Sequence, residues 1–274
     1  MYQHLAAREV EETTHHVPSP FIPPAAMPAF SPDASSAWVA GADGYRDGWA
    51  VVLHRPATDT TRCRTVDGVD ALFALPEAPA VLGIDMVVGL PDQAAPGGRR
   101  CDRAARQLLG RPRSASVFSP PAYGALSAQT YDEAVRRNRA SGPDAPGLSK
   151  QTFHLFPKMR ALATHMTAAL QDRVREVHPE LAFYALRGGT PMAESKHTAT
   201  GRNARAALLA AHGFPNVDAA CGQARGALGA DDLLDAHAAC WTARRIYADT
   251  AERCPPCATR APRNDRGLRM EIWR

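Results

Sequence analysis

The stretch APAVLGIDMVVGLPD, residues 78–92, constrains the fold more than any other part of the chain. Its apolar residues continue without alternation for the length of a strand, and a single acid, Asp85, interrupts them. A strand that is apolar on both faces is typical of the centre of a sheet covered by helices on both sides. Burying a carboxylate in such a strand is costly unless it is paired or binds a metal ion, so Asp85 is a candidate functional residue.

The patterns around this stretch predict a mixed α/β fold. From Trp38, two β-prone runs predict a hairpin, TTRCRTVDGV a third strand, and GVDALFALPEA a short helix ending at Pro76. Further helices are expected in RRCDRAARQLLG, KMRALATHMTAALQ, residues 202–212 and residues 227–248. Further strands are expected in RVREVHPELAFYAL, where Pro179 stops the strand, and in GLRMEIWR. An antiparallel hairpin followed by βα units indicates a mixed sheet flanked by helices, with helical insertions and with ligands beyond the carboxyl ends of its strands.

Composition sets the domain organisation and the compartment. Prolines repeat through residues 1–36 and predict a disordered arm, leaving residues 37–274 as a single domain. The net charge of +4 is too small to argue for a nucleic-acid partner. No apolar run reaches the roughly 18 residues that span a bilayer, and the first residues lack a secretory pattern, so we expect a cytoplasmic protein that does not enter a membrane.

The cysteines do not predict a disulfide framework, because the six are scattered along the chain. Cys254 and Cys257 form one CxxC, but no second CxxC or CxxH completes a tetrahedral zinc set. A plain loop pair is therefore favoured over a metal or redox site.

Three carboxylates lie in the alanine-rich helical pattern GADDLLDAHAAC. Asp231 suits a helix N-terminus, where the macrodipole favours an acid. Asp232 and Asp235 are three residues apart and therefore share one helix face, and Asp235 lies too deep to serve the helix end. Asp43, at the end of the first strand in ADGYRDG, is equally typical of a hairpin turn.

If that helix packs across the sheet, Asp43, Asp85, Asp232 and Asp235 converge. Like charges at short range raise each other's pKa, so such a cluster needs protons or cations, and hard oxygen ligands suit Mg²⁺ or Mn²⁺. Two such ions roughly 4 Å apart can activate a water, hold a scissile phosphate and stabilise the leaving oxygen. Under this hypothesis Asp43 bridges the ions, with Asp85 on one side and Asp232 or Asp235 on the other.

The segment REVHPE adds three candidate catalytic residues. The period of a strand places Glu176 and His178 on one face, and Glu180 follows Pro179. An imidazole side chain can gain or lose a proton near neutral pH, so His178 can relay a proton or orient water. The alternative is a histidine satisfied within the fold beside a glutamate at the surface.

Five basic residues are candidate substrate contacts. Arg99, Arg103 and Arg106 are spaced to share one helical face, which can follow a phosphate backbone or bind a smaller anion. An arginine-coated solvated face is the competing interpretation. Lys158 and Lys196 lie in loop-like stretches and can neutralise the acids, although the pattern by itself favours ordinary surface lysines.

Several stretches together resemble an uncharacterised family described as predicted RNase H-like nucleases (domain of unknown function 429). The matching stretches are GADGYRDGWAVV, GIDMVVGLPD, RRCDRAARQLLG, SVFSPP, REVHPELAF, SKHTATGR and DDLLDA. The DLLDAHAA helix is also similar to the final catalytic helix of Holliday-junction resolvases, where two acids three apart close the metal site.

The resemblance implies a ribonuclease H-like fold for residues 37–274. It also implies an acidic centre built from Asp43, Asp85, Asp232 and Asp235. One departure is Met86, where the family more often has a proline after the aspartate, and the turn that aims Asp85 is affected by that change.

We therefore expect a metal-dependent nuclease or related phosphodiesterase that uses Mg²⁺ or Mn²⁺ and acts on DNA, RNA or a phosphorylated small molecule. One alternative is a non-nuclease enzyme of the same fold acting on a small metabolite, or a binding protein. Another is a phosphotransferase, because GADG resembles the first phosphate loop of actin-like and sugar kinases, although the only other candidate loop, DRG at 265–267, is too near the terminus to begin a second half. An aromatic content of 7% without a stacking motif weakens nucleic-acid recognition.

Overall fold

The computed structural model describes residues 36–256 and 260–274. The strands are β1 (Val39–Tyr45), β2 (Gly48–Arg55), β3 (Thr60–Val66), β4 (Val81–Asp85), β5 (Val174–Glu176), β6 (Arg253–Cys254) and β7 (Ile272–Trp273). The first five form one sheet in the order β3-β2-β1-β4-β5, and β6 pairs with β7 in a small second sheet. The β1–β2 and β2–β3 pairs are antiparallel, whereas β1–β4 and β4–β5 are parallel. The mixed sheet predicted from the sequence is confirmed, and its strand order is consistent with a ribonuclease H-like fold.

Helices flank the main sheet. They are α1 (Val69–Phe73), α2 (Arg100–Leu109), α3 (Tyr131–Arg139), α4 (Lys150–His154), α5 (Phe156–His165), α6 (Pro179–Leu186), α7 (Ala199–Ala211), α8 (Val217–Cys221) and α9 (Ala230–Tyr247). Short 3-10 turns lie at Pro56–Thr58, Arg113–Ser116, Tyr123–Ser127 and Leu170–Asp172. Within the described ranges, no helix combines the length and apolar character that a bilayer crossing needs.

The strand predicted in RVREVHPELAFYAL and stopped by Pro179 is present but short, and the helix that follows it was not predicted. Strand β5 ends at Glu176, and Pro179 begins helix α6 instead of only stopping the strand. Proline is favoured at the first helical turn, because its missing N–H would have no partner there and its φ is already helical. His178 is consequently the residue that precedes α6 and not a strand residue.

Three other predictions concern the ends of the chain. The predicted last strand is only two residues long and belongs to the small sheet. All of the predicted N-terminal arm except Ser36 lies outside the described residues, as does Cys257, so the arm and the CxxC pair stay predictions. Cys63, Cys101, Cys221, Cys240 and Cys254 are free thiols.

The two faces of β1 and β4 belong to different cores, because successive strand residues point to opposite sides. One core holds Ala40, Ala42, Leu82 and Ile84 and packs against residues of α5. The other core holds Val39 and Val81 and packs against α6, α7 and α9. By the same alternation, Asp43 and Asp85 point to the face that α9 covers.

Helix α9 lies directly on the backbone of the two central strands. A Cβ atom added to Gly41 would lie 2.0 Å from the Cys240 nitrogen and 2.3 Å from the Ala236 carbonyl oxygen. A Cβ atom on Gly83 would lie 2.7 Å from the Ala239 carbonyl oxygen. Each glycine precedes a strand-end aspartate by two residues, so the same close approach brings the start of α9 to Asp43 and Asp85.

Replacing Gly41 with alanine should separate α9 from the sheet. The added methyl group meets helix backbone, which cannot rotate away, so we expect Gly41→Ala to lose about 3 kcal/mol or more of unfolding free energy, the upper part of the overpacking range. Urea unfolding followed by circular dichroism measures this loss. Gly124→Ala is the matched control, because a Cβ there meets nothing within 4 Å and should change stability by less than about 1 kcal/mol. Equal stability of the two variants would contradict the close contact.

Candidate active site

Asp43 and Asp85 lie side by side at the carboxyl ends of two parallel strands. They are directly paired in the β1–β4 register, and both point to the α9 face. Asp43 is 8% exposed. The two carboxyl groups lie close enough for each to affect the pKa of the other.

Helix α9 brings a third carboxylate to this pair. Asp235 is 2% exposed, and its negative charge acts on both Asp43 and Asp85. Asp232 has a different principal role, because its Oδ2 accepts a 2.7 Å hydrogen bond from the Gly229 N–H and caps the helix. Asp231 was expected to serve the helix end. The structure gives the capping hydrogen bond to Asp232, which also lines the cavity described next.

A cavity of about 380 Å³ opens beside these carboxylates. Its acidic wall contains Asp43, Asp85, Asp232 and Asp235. Facing residues come from the loops after β4 and α2, from the β5–α6 junction and from the segment before α7. This places the cavity at the carboxyl edge of the sheet, where ligands of open α/β sheets bind.

The pKa values of the aspartates are raised, which shows that this arrangement opposes their ionisation. Burial, followed by the charges of Asp85 and Asp235, raises the pKa of Asp43 well above its usual range. Burial also raises the pKa of Asp85, although His178 and Lys196 oppose the shift. The pKa of Asp235 rises to about 6, because burial outweighs the opposing charge of Lys196. The cluster therefore resists full ionisation and attracts cations.

Lys196 is the cation that pairs with the aspartate cluster. Its Nζ donates to Asp235 Oδ2 in an ion pair. Although burial opposes the shift, Asp235, Asp43 and Asp85 raise the pKa of Lys196 above its usual value. Lys158 makes a different contact, since its Nζ donates a 2.8 Å hydrogen bond to the Gly48 carbonyl. Of the two predicted lysines, Lys196 is the one that pairs with an acid.

Glu176 belongs to a separate and fully paired charge system. It is in register with Ile84, so it points to the opposite face of the sheet from Asp85. Its Oε2 accepts 2.8 Å hydrogen bonds from the Val88 N–H and from Arg99 Nη1. Arg99 also bonds both carboxylate oxygens of Asp102. Glu176 and Arg99 thus secure the chain that leaves β4.

The predicted basic face of α2 is not formed as expected. Arg99 is 5% exposed and precedes α2, so it does not share an exposed face with Arg103 and Arg106. Arg103 donates to the Gly98 carbonyl, and Arg106 donates to the carbonyls of Val117 and Gly97. The prediction assumed that α2 includes Arg99, whereas the helix begins after that residue.

Glu180 is likewise engaged within the fold. It lies in the first turn of α6, is 7% exposed, and forms an ion pair with the fully buried Arg205. Arg205 also donates to the Gly201 carbonyl inside α7. This pair joins α6 to α7 beneath the cavity.

His178 is the predicted residue best placed to exchange a proton with the cavity. Its Nε2 lies 3.3 Å from the Ser116 carbonyl oxygen, an acceptor, so Nε2 carries the proton of that hydrogen bond. Its Nδ1 has no hydrogen-bond partner among the described residues. The charge of His178 acts on Asp85, which places the ring next to the acidic wall.

Besides Asp102, four polar or charged cavity residues were not predicted as site residues. They are Arg113, Ser116, Ser195 and His197. The last three lie inside the stretches SVFSPP and SKHTATGR, so the resemblance marked the segments but not these side chains. They line the cavity because loops far apart in the sequence meet there, which residue spacing does not reveal.

The carboxylate cluster fits a hard divalent cation in donor chemistry and in charge. The donors are carboxylate oxygens, which Mg²⁺ and Mn²⁺ prefer, and Lys196 forms the cluster's ion pair. In geometry, no group of three or more His, Cys, Asp or Glu side chains in residues 36–256 and 260–274 is positioned to hold a metal ion. Side chains must therefore turn toward a shared ion for one to bind.

The family model described as "Protein of unknown function (DUF429)" matches residues 41–260. The match covers most of the chain, and the protein belongs to this family. Neither the curated proteins nor the solved structures contain a match to the chain. The family model spans all four aspartates of the acidic wall.

The raised pKa of Asp43 predicts a pH-dependent stability difference from Asp43→Asn. A proton held on buried Asp43 stabilises the folded protein fully below about pH 4, the usual aspartate pKa, and this stabilisation disappears as pH rises through the raised folded-state pKa. Asparagine does not ionise. We therefore expect near-equal stability at about pH 4 and a more stable variant above it, by about 1.4 kcal/mol for each unit of pKa elevation passed.

Urea unfolding with a metal chelator present, from about pH 4 to about pH 8, tests this difference. Asp47→Asn is the control, because Asp47 is exposed in the β1–β2 turn. A stability difference that stays constant with pH would contradict the burial of an ionisable cluster.

The contacts of Arg99 predict a structural defect when it is replaced. Arg99→Met leaves Glu176 and Asp102 buried without their cation, so we expect a loss of about 3–5 kcal/mol in unfolding free energy. Arg103→Met removes an exposed side chain and its bond to Gly98, and should cost less than about 1.5 kcal/mol. Thermal and urea unfolding compare the two. A stable Arg99→Met protein would instead favour the original phosphate-contact interpretation.

Proposed function

We propose that this protein is a metal-dependent phosphodiesterase of the nuclease type. The carboxylates Asp43, Asp85 and Asp235, with Asp232 at the rim, would hold Mg²⁺ or Mn²⁺. A divalent cation bound there lowers the pKa of a coordinated water and offsets charge on a phosphoryl oxygen. The substrate class expected is a phosphate diester in DNA, RNA or a smaller molecule.

One observation carries this proposal: the acidic wall has more carboxylates than paired cations. Four aspartates line it, and among the residues described the ion pair made with them is that of Lys196. Two other acids that line the cavity each form an ion pair with an arginine, Glu176 with Arg99 and Glu180 with Arg205. A fold that neutralises its other buried acids leaves this one cluster deficient in positive charge, as a cation site requires.

The facing wall supplies groups for proton transfer and anion binding. His178 lines this wall, where its imidazole would exchange a proton with an attacking water. Arg113 lines the same wall, and its guanidinium suits a phosphate oxygen. Acids on one side and basic groups on the other orient a phosphodiester across the cavity.

A small phosphorylated metabolite is the second candidate substrate. The cavity volume of about 380 Å³ lies in the range of small-molecule pockets. We keep a small-molecule phosphodiester as the alternative substrate.

A substrate panel tests the proposed activity. Labelled DNA, RNA, hybrid and branched substrates, together with bis(p-nitrophenyl) phosphate, are incubated with Mg²⁺, Mn²⁺ or a chelator. We expect cleavage that requires metal and that falls by at least about a hundredfold in Asp43→Asn and Asp235→Asn, the scale on which one preorganised charged group contributes to catalysis. Asp47→Asn, an exposed change in the adjoining turn, should cleave as the wild type does.

Cleavage of polymers identifies a nuclease, and cleavage confined to the small diester favours the second candidate. Activity that persists in Asp43→Asn would contradict the proposed role of the cluster.

A further inference from the structure

Lys196 lies between two helices and reaches back to the acidic wall. It belongs to residues 187–198, which connect α6 to α7. Its ammonium group forms an ion pair with Asp235, and its positive charge acts on Asp43, Asp85 and Asp232 as well. One side chain therefore compensates all four aspartates from a single position.

The backbone that carries Lys196 is held firmly. The Thr198 hydroxyl donates a 2.9 Å hydrogen bond to the Ser195 carbonyl and caps α7 by accepting from the Gly201 N–H. Arg202 Nη1 donates a 3.0 Å hydrogen bond to the His197 carbonyl. A Cβ atom on Gly201 would lie 1.9 Å from the Ser195 carbonyl oxygen, so α7 packs directly on this segment.

The side chain of Lys196 is freer than its backbone. It is 33% exposed, whereas Asp235 is 3% exposed. A lysine side chain has a flexible four-carbon stem, so its ammonium group can leave the carboxylates by bond rotation without a loop opening. The ammonium then stays within the same cavity, which Ser195 and His197 also line.

Resting on the proposed function above, we propose that Lys196 is a resident cation that a divalent metal ion replaces, and that the displaced ammonium binds a phosphate oxygen of the substrate. Lys196 and the metal ion compete for the same carboxylates. The positive charge that stabilises the metal-free protein is thereby delivered to the anionic substrate once the metal is bound. Lys196 is in this way a determinant of both metal affinity and phosphate recognition.

The sequence makes this exchange directly observable, because the chain contains three lysines: Lys150, Lys158 and Lys196. Protein labelled with ¹³Cε-lysine gives one resolvable NMR signal for each. We expect titration with Mg²⁺ to shift the Lys196 signal with the same midpoint that calorimetry gives for Mg²⁺ binding, and to leave Lys150 unmoved. Adding dimethyl phosphate should shift the Lys196 signal further only when Mg²⁺ is present.

A charge-removal variant provides the second readout. Lys196→Met should bind Mn²⁺ at least about tenfold more tightly than the wild type, because the ammonium group that competes for the carboxylates is gone. Lys158→Met is the matched control, since it removes the same charge near Asp43 and Asp232 from a side chain that bonds the Gly48 carbonyl. Its Mn²⁺ affinity should change by less than about threefold.

A Lys196 signal that ignores saturating Mg²⁺, or an unchanged Mn²⁺ affinity in Lys196→Met, overturns the exchange. The wild-type NMR titration decides the matter even if Lys196→Met fails to fold. Absence of metal binding in the wild type and in Lys196→Met also overturns it. Metal exchange without cleavage of any substrate would remove the proposed phosphodiesterase activity and keep the exchange, whereas metal-dependent cleavage without exchange would do the reverse.

Discussion

Helix α9 can lie on strands β1 and β4 because Gly41 and Gly83 present no side chains to it. An ideal Cβ on Gly41 would be 2.0 Å from helix backbone, so no other residue fits there without moving the helix. This contact determines the position of Asp235, which follows the helix start, relative to the strand-end Asp43 and Asp85. The position of the acidic wall is therefore a consequence of backbone packing.

The same packing removes water from the carboxylates and creates two charge systems with opposite properties. In the first, Arg99 and Arg205 meet Asp102, Glu176 and Glu180, and these pairs hold loops and helices together. In the second, Asp43 and Asp85 lie directly opposite each other in the strand register, and Asp235 pairs with the ammonium group of Lys196. Burial of unpaired acids lowers stability unless protons or cations neutralise them. Buried acids that lower stability and lie together at one edge of the sheet are expected at a binding or reaction centre.

The sequence predicted the sheet and the acidic residues more accurately than their surroundings. The apolar run around Asp85, the hairpin beginning at Trp38 and the helical period around Asp235 are local patterns, and each places its residue on the correct element. The roles of Glu176 and Arg99 depended on where β5 ends and α2 begins, and a shift of one or two residues moves a side chain to another face. The capping contact of Asp232 and the meeting of Arg113 with His197 depend on tertiary packing, which spacing does not encode.

Lys196 connects the stability of this fold to its proposed chemistry. A cluster of buried aspartates that waits for a metal ion must be tolerable in the metal-free protein, yet a fixed internal cation would block the ion. A lysine on a short, well-anchored segment meets both conditions, because its charge is close enough to pair with Asp235 and its stem is flexible enough to withdraw. An arginine paired with both oxygens of Asp235 would stabilise the cluster more strongly and release it less readily. Arg99 and Arg205 form the permanent ion pairs of the fold, whereas a lysine lies at position 196. This difference is consistent with a positive charge that leaves the carboxylates when a metal ion binds.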